Sequence, residues 1–317
     1  MRDLSSQRRK RSIKNSSSNI AQGIVAEGVN YFDDPQYPLT VRRVRSGQEH
    51  KVTHEHDLTE VCHTHDFCEL ALITHGSAMH WLEGSEFPIS AGDVFVLQGK
   101  QAHYYYDLQG LEMLNIMFDP TQLNLPENRL RKILGYRALF LLEPLFRKQH
   151  KFTSHLHLKR SALAHCERIA SELEEEIHDM QEGYEVAMFS KFIELVVFLS
   201  RLYQKTESTN AEALLRVAKV IGSIEDEFAS PWKIEDFASM AHMSRSNFMR
   251  VFRTATGQTP IDYLLNLRIQ KSTTLLTRTN RPVSEIAFEV GFNDSNYYSR
   301  QFKRVHGMSP LSFRRAH

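Results

Sequence analysis

No apolar run in this 317-residue sequence reaches the ~18 residues of a membrane-spanning helix, which excludes a helical span through a bilayer. Cysteine is scarce. Cys62, Cys68 and Cys166 form neither a disulfide framework nor a zinc-ligand spacing, so a reducing cytoplasm is the expected location. The first 15 residues carry six basic side chains but lack the apolar stretch of a secretory signal, and residues 1–30 are expected to form a disordered basic arm. Net charge is nearly absent as well, at +1, yet it is unevenly spread. From Ala211 onward 15 basic residues face 10 acidic ones, which leaves the rest of the chain acidic. A basic excess on one domain suits contact with a polyanion without establishing it.

What the chain does contain is a repeat. Phe252, Arg253, Gly257, Thr259 and Pro260 return about 50 residues later as Phe302, Lys303, Gly307, Ser309 and Pro310. Upstream, Ile234, Phe237, Ala238 and Ala241 return as Val283, Ile286, Ala287 and Val290, one residue out of step. The slip falls in a turn, where an insertion costs least. Each copy reads as helix, short turn, helix.

In the first copy Lys233 to Ala241 supplies one helix, and Ser244 is an N-cap for a second that runs to about Ala255. Phe248, Val251 and Phe252 fall at i, i+3 and i+4 and face the core. Arg245, Ser246, Met249, Arg250 and Arg253 are left to the other faces, and the Arg250 guanidinium suits guanine O6 and N7. Gly257 ends that helix, and Pro260 opens another to about Thr277, ~28 Å long at 1.5 Å per residue. A helix of that length holds two heads at a fixed separation. In the second copy Pro282 opens the first helix, Gly291 makes the turn and Asp294 caps the second helix. Tyr298 and Phe302 face inward; Ser295, Asn296, Ser299 and Arg300 face outward, with Lys303 placed for phosphate. A single pattern of this kind is common in proteins that never touch DNA. Two in tandem, with matched Phe-Gly-Pro endings and a helical spacer, point to double-stranded DNA as a partner.

The first half is patterned differently. Leu70–Ile73, Met79–Leu82, Val94–Leu97 and Met113–Phe118 are short apolar or alternating runs cut by Gly76, Gly84, Gly92 and Gly110, as in a β-sandwich or barrel. From about Pro126 the period becomes helical, with Ala162, Cys166, Ile169, Leu173 and Ile177 on one side of a first helix. A second, Met188 to Tyr203, has an apolar surface wide enough to serve a dimer interface as well as the core. The polar stretch 204–210 reads as a linker.

His63, His65, Glu69 and Gly76, followed by Gly92, Asp93 and His103, fit the two cupin sequence motifs. His63 and His65 share one face of a strand. Three imidazoles and a carboxylate suit a divalent metal, a pocket for a small polar ligand, or a structural polar cluster. Fusion to a DNA-binding domain favours the ligand pocket, with Trp81 and one or two of Tyr104, Tyr105 and Tyr106 adding to its lining. The expected effector-binding set is His63, His65, Glu69, Trp81, His103 and Tyr105. No cofactor is expected, a metal at His63, His65, Glu69 and His103 being the less favoured reading.

Residues 234–315 resemble the DNA-binding domain of the AraC/XylS family of transcription regulators, above all in the run from Ile286 to Lys303. The block His63 to Leu70, with Asn115 and Ile116, is similar to the effector domains of that family's rhamnose-responsive activators. The resemblance implies two recognition helices entering successive major grooves, a sugar-like effector, a homodimer and contact with RNA polymerase. Met249 stands where relatives often carry a polar residue. The fold expected is therefore two-domain α+β. Residues 31–125 form a cupin-like barrel and 126–204 a helical dimerisation and coupling segment. A linker at 205–211 leads to 212–317, an all-α domain with two helix-turn-helix motifs joined by a long helix. The expected function is a ligand-responsive regulator, an activator by resemblance and not an enzyme. Its alternatives are a metal-dependent cupin enzyme tethered to DNA and a ligand-independent activator with a vestigial barrel.

Overall fold

The structure, a computed structural model, describes residues 24–34, 36–46, 62–147 and 155–317. The chain divides into two compact units between Ser208 and Thr209, inside the expected linker. No helix among the described residues is long and apolar enough to cross a membrane.

Among the described residues the N-terminal unit holds eight strands: β1 (Ile24–Ala26), β2 (Leu39–Arg45), β3 (His63–His65), β4 (Cys68–Leu82), β5 (Ser85–Ser90), β6 (Asp93–Leu97), β7 (His103–Phe118) and β8 (Leu156–His157). They form one sheet in the order β1-β3-β7-β4-β6-β8, with β2 also on β7 and β5 also on β4. The two long strands β4 and β7 are its spine, paired antiparallel from Cys68 opposite Phe118 to Leu82 opposite His103. Register shifts between Ile73 and Met79 interrupt that pairing. They bend the ribbon as β-bulges do, so each long strand serves two sets of neighbours. Gly76 sits at the bend with a φ of +70°, and a Cβ there would lie 2.2 Å from the Gly110 carbonyl oxygen.

Side-chain parity sorts the two faces. Ala71, Ile73, Phe95, Tyr105 and Met113 enter one buried cluster with Val44, Leu82 and Phe87. Leu70, Leu72, Leu114 and Ile116, of opposite parity, are buried as well. Helix α1 (Arg160–Asp179) packs on β2 and on α2 (Tyr184–Tyr203), and Phe118 meets Phe192 of α2 at 4.8 Å. Between β7 and α1 the chain makes short helical turns, Leu134–Tyr136, a π-helical Arg137–Leu142 and Glu143–Phe146. Gly135 approaches α2 so closely that a Cβ would fall 1.8 Å from the Ser200 carbonyl oxygen.

Two boundaries differ from expectation. Residues 1–23 of the anticipated arm lie outside the described residues, but its last part is structured. Strand β1 pairs in parallel with β3, because Ala26 and Tyr31 bury apolar surface against Phe67 and Met117. The segment 126–204 is not purely helical either. Strand β8 runs along β6, burying Leu156 beside the sheet.

The C-terminal unit is all helix: α3 (Thr209–Asp226), α4 (Ile234–Met240), α5 (Arg245–Thr256), α6 (Pro260–Arg278), α7 (Val283–Glu289), α8 (Ser295–His306) and α9 (Pro310–Ala316). Helix α3 starts within the expected 205–211 linker. The caps repeat along with the sequence. Ser244 Oγ accepts from Asn247 N, and Asp294 from Tyr297 N, at the starts of α5 and α8. Thr259 and Ser309 do the same for Asp262 N and Ser312 N at 3.2 and 3.1 Å. Gly257 and Gly307 end α5 and α8 with φ of +75° and +74°, where a side chain would be strained.

Candidate DNA interface and interior polar cluster

In α5 the buried side chains are Phe248, Val251, Phe252 and Ala255, and in α8 Tyr298 and Phe302. Ring contacts run from Phe237 through Phe248 and Phe252 to Tyr263 at 5.5–6.3 Å. They run from Phe292 through Tyr298 and Phe302 to Phe313 at 5.2–5.8 Å. Each head is thus built on an aromatic spine, which leaves the opposite face of its second helix to solvent. Arg245, Ser246, Arg250, Arg253, Asn296, Arg300 and Lys303 are exposed there, while Met249, Ser295 and Ser299 are half-buried. The ten are equivalent in pairs about 50 residues apart, Arg250 matching Arg300 and Arg253 matching Lys303.

These groups are lightly tethered. Arg245 pairs with Glu235 at 3.1 Å, with both side chains mostly exposed, an interaction worth ~0–1 kcal/mol that a phosphate readily replaces. Arg250 donates to Asn247 Oδ1 at 2.8 Å, and the Arg300 guanidinium lies 5.9 Å from the Tyr297 ring centre. Such outward-facing cations suit phosphate and base-edge contact.

Arg268 of the spacer helix has a different role from these cations. It is buried, and its Nε and Nη2 donate to the carbonyls of Phe228 and Ser230, both at 2.7 Å. Its guanidinium lies 5.9 Å from the Phe292 ring centre in the turn of the second head. Gly291 of that turn presses on Ala229, its Cβ position being 2.6 Å from the Ala229 oxygen. One side chain of α6 therefore ties the loop before the first head to the turn of the second. In the sequence it was indistinguishable from a surface base.

In the N-terminal unit β3, β4 and β7 bring His63, His65, Glu69, His103 and Tyr105 into one buried cluster, each at most 3 % exposed. His63 lies opposite His103 in the β3–β7 register, with the ring centres 4.2 Å apart. The His65 and His103 rings are 5.2 Å apart, and His65 Nε2 lies 3.6 Å from Glu69 Oε2. His65 Nδ1 and His103 Nδ1 sit 2.7 and 2.9 Å from the carbonyls of Phe67 and Gln101. Those bonds place the protons on Nδ1 and turn the Nε2 lone pairs inward. His103 Nε2 is buried and makes no hydrogen bond among the described residues. Burial, reinforced by His63, His65 and His80, holds the His103 pKa well below its ordinary value and keeps the ring neutral. His65, Glu69 and His103 offer ligand atoms within 4.8 Å of one another and fit a divalent ion chemically; His63 is not in that trio.

Trp81 is not in the cluster. It sits opposite Tyr104, stacked at 5.1 Å on the outer face of the β4–β7 pair. Alternation along β4 sends its neighbour His80 inward instead. His80 is fully buried, stacked at 4.7 Å on Tyr105 and 5.1 Å on Phe95. Of the three consecutive tyrosines only Tyr105 is interior. Asn115 is buried with the same parity as His103 and Tyr105. The interior polar lining thus includes two residues, His80 and Asn115, that the motif spacing did not single out. Beyond Phe95, Arg147 stacks at 5.3 Å and pairs with Glu143 at 3.0 Å, both fully buried. Burial depresses the Arg147 pKa and Glu143 opposes that shift.

Comparison with known proteins places both halves. Residues 237–316 match the family described as a helix-turn-helix domain, and residues 52–183 match the AraC-like ligand binding domain. The chain is 30% identical over 255 residues to the HTH-type transcriptional activator RhaR of Enterobacter sp. (strain 638), covering 80% of this chain and 86% of that protein. It is 31% identical over the same span to RhaR of Klebsiella pneumoniae, with equal coverage. Among solved structures, the DNA-binding domain of AdpA in complex with a target DNA aligns with 32% of this chain and 91% of its own, at 31% identity and a TM-score of 0.31.

Proposed function

This chain belongs to the AraC family of transcription regulators, and from that premise we propose that it is an activator switched by a small hydroxyl-rich effector held in its β domain. It is a DNA-binding regulator with a ligand-binding domain, and the proteins it resembles are regulators rather than enzymes. L-rhamnose or a related sugar is the leading effector, a choice supported by the relatives named RhaR activators.

The observation that carries the effector reading is His103, a neutral imidazole, fully buried, whose Nε2 acceptor makes no hydrogen bond among the described residues. An isolated buried acceptor costs about 1–3 kcal/mol. A sugar hydroxyl donates to such an atom, and carboxylate and amide groups at Glu69 and Asn115 complement further hydroxyls. The effector set becomes His63, His65, Glu69, His80, His103, Tyr105 and Asn115, with Trp81 left out. Effector binding at this cluster favours one of two arrangements of the regulator, and its differential affinity sets the transcriptional response.

DNA is read by Arg245, Ser246, Met249, Arg250 and Arg253 of the first head. Ser295, Asn296, Ser299, Arg300 and Lys303 serve the second. The regulator works as a homodimer through α2, where Phe189, Ile193 and Val197 form a half-buried apolar row at i, i+4 and i+8. RNA polymerase is the partner of the DNA-bound form, and the cytoplasm is where three free cysteines persist. Calorimetric titration of the purified protein with L-rhamnose and related sugars tests the effector reading. One of them binding to the wild type, and binding at least tenfold more weakly to His103→Ala, is expected. No heat with any sugar, or equal affinity in both proteins, would refute it.

A further inference from the structure

A second set of metal-ligating side chains lies outside the interior cluster. His157 of β8 and His155, the residue before Leu156, both reach Asp93, while Leu156 between them is buried. Strand β8 runs antiparallel to β6 with His157 directly opposite Asp93. Asp93 Oδ1 lies 2.9 Å from His155 Nε2 and 2.7 Å from His157 Nδ1. Its other oxygen accepts from the Ser90 backbone N–H at 2.7 Å and from the Ser90 hydroxyl at 3.3 Å, which fixes the carboxylate plane. Gly92, with a φ of +100°, lets the strands close; a Cβ there would meet Leu158 O at 2.8 Å and the His157 ring at 3.0 Å. The three ligand atoms lie within 4.8 Å of one another. Asp93 is buried while the His157 side chain is 58% exposed, so the set opens to solvent on one side.

We propose that Asp93, His155 and His157 form a divalent-metal site, two imidazoles and one carboxylate, suited to Zn2+ and to similar ions such as Co2+. An ion held ~2.0–2.1 Å from each donor needs the donors roughly 3.3 Å apart. The two distances to Asp93 Oδ1, 2.9 and 2.7 Å, are within a few tenths of an ångström of that value, and side-chain rotation of His155 and of the exposed His157 adjusts the rest. On binding, each ring stays neutral and carries its single N–H on the nitrogen that faces away from Asp93: a neutral ring shifts its proton there through solvent, a protonated ring releases one proton, and the freed lone pair binds the ion. Water completes the coordination on the open side. The ion bridges β8 to β6 at the point where the chain turns through Leu158 into α1, so occupancy stiffens the start of that helix. The adjoining backbone bond, Leu158 N–H to Gly92 O at 2.7 Å, reports that stiffening.

The test uses tag-free full-length protein, stripped with EDTA and dialysed, then titrated with ZnCl2 by calorimetry and with CoCl2 by visible absorption. The variants are His155→Gln, His157→Gln and, for the interior cluster, His103→Ala. The expected result is Zn2+ binding that His103→Ala preserves and that both strand variants weaken at least ~10-fold, with loss of the Co2+ ligand-field bands. Amide exchange on the wild type is independent of any variant's folding. Zn2+ is expected to slow exchange at Leu156 and Leu158. Absence of binding in the wild type, wild-type affinity in either strand variant, or protection confined to β3 and to His103 would each overturn the proposal.

Discussion

Replacing Arg268 by alanine is expected to weaken the coupling of the two reading heads more than any change at an exposed arginine. The side chain donates two charge-assisted hydrogen bonds at 2.7 Å to the Phe228 and Ser230 carbonyls and lies over Phe292. Bonds from a charged donor are worth about 1.5–3 kcal/mol each, and a cation–π contact at a partly enclosed site about 0.5–1 kcal/mol. Water re-hydrates part of the freed carbonyls, so the net loss is about 3 kcal/mol. Trp232 reports it well, because it sits in the same loop, donates to the Glu227 carbonyl at 2.8 Å and packs 5.5 Å from Phe237. In a Trp81→Phe background it is the only tryptophan fluorophore. Urea unfolding followed through Trp232 should shift its midpoint down by roughly 1–3 M, taking m as about 1–3 kcal/mol/M. Arg268→Lys keeps the charge but not the fork, and should fall between. A midpoint within ~0.3 M of the parent would mean that Arg268 holds nothing together and is a spare surface base.

Gly135→Ala puts a methyl 1.8 Å from the Ser200 carbonyl oxygen; it should destabilise the N-terminal unit by about 1–3 kcal/mol in thermal unfolding, and an unchanged transition would contradict the close packing on α2. Because the folded-state pKa of His103 lies below its unfolded value, the metal-free unfolded chain takes up the extra proton as the pH falls below ~6.5. Stability of the N-terminal unit is therefore complete above that pH and declines below it by up to about 1.4 kcal/mol per pH unit, a slope that His103→Gln should flatten. On a duplex selected from a random pool, Arg250→Ala and Arg300→Ala should each cost about 1–3 kcal/mol and relax base preference locally. Lys303→Ala should weaken binding to all sequences alike and make the salt slope shallower by about one.

The C-terminal unit was legible because its signals are local. Helical period, N-caps at Ser244 and Asp294 and the terminating Gly257 and Gly307 each depend on residues a turn apart, and the repeat states them twice. Arg268 was not legible: a buried cation reads like an exposed one until the loop that it bonds is in place. The β domain was legible as strands but not as faces. Trp81 and His80 differ by one position, and only the register of β4 on β7, broken by three irregularities, decides which is interior. His65 and His103 could be paired from motif spacing, whereas Asn115 needed that register. Strands β1 and β8 are not legible in the sequence because two or three residues carry no period, and long-range pairing alone defines them. The juxtaposition of His155 and His157 with Asp93 rests on the same long-range pairing.

In the proposed function the buried histidine cluster converts effector binding into a DNA-level response. The most direct measurement is transcription from a promoter carrying the selected binding sequence, with and without L-rhamnose and related sugars, for wild type, His103→Ala and Arg300→Ala. Transcription is expected to depend on sugar in the wild type, to lose that response in His103→Ala although DNA is still bound, and to show no activation in Arg300→Ala. Equal transcription with and without every sugar, or a full response from His103→Ala, would contradict it.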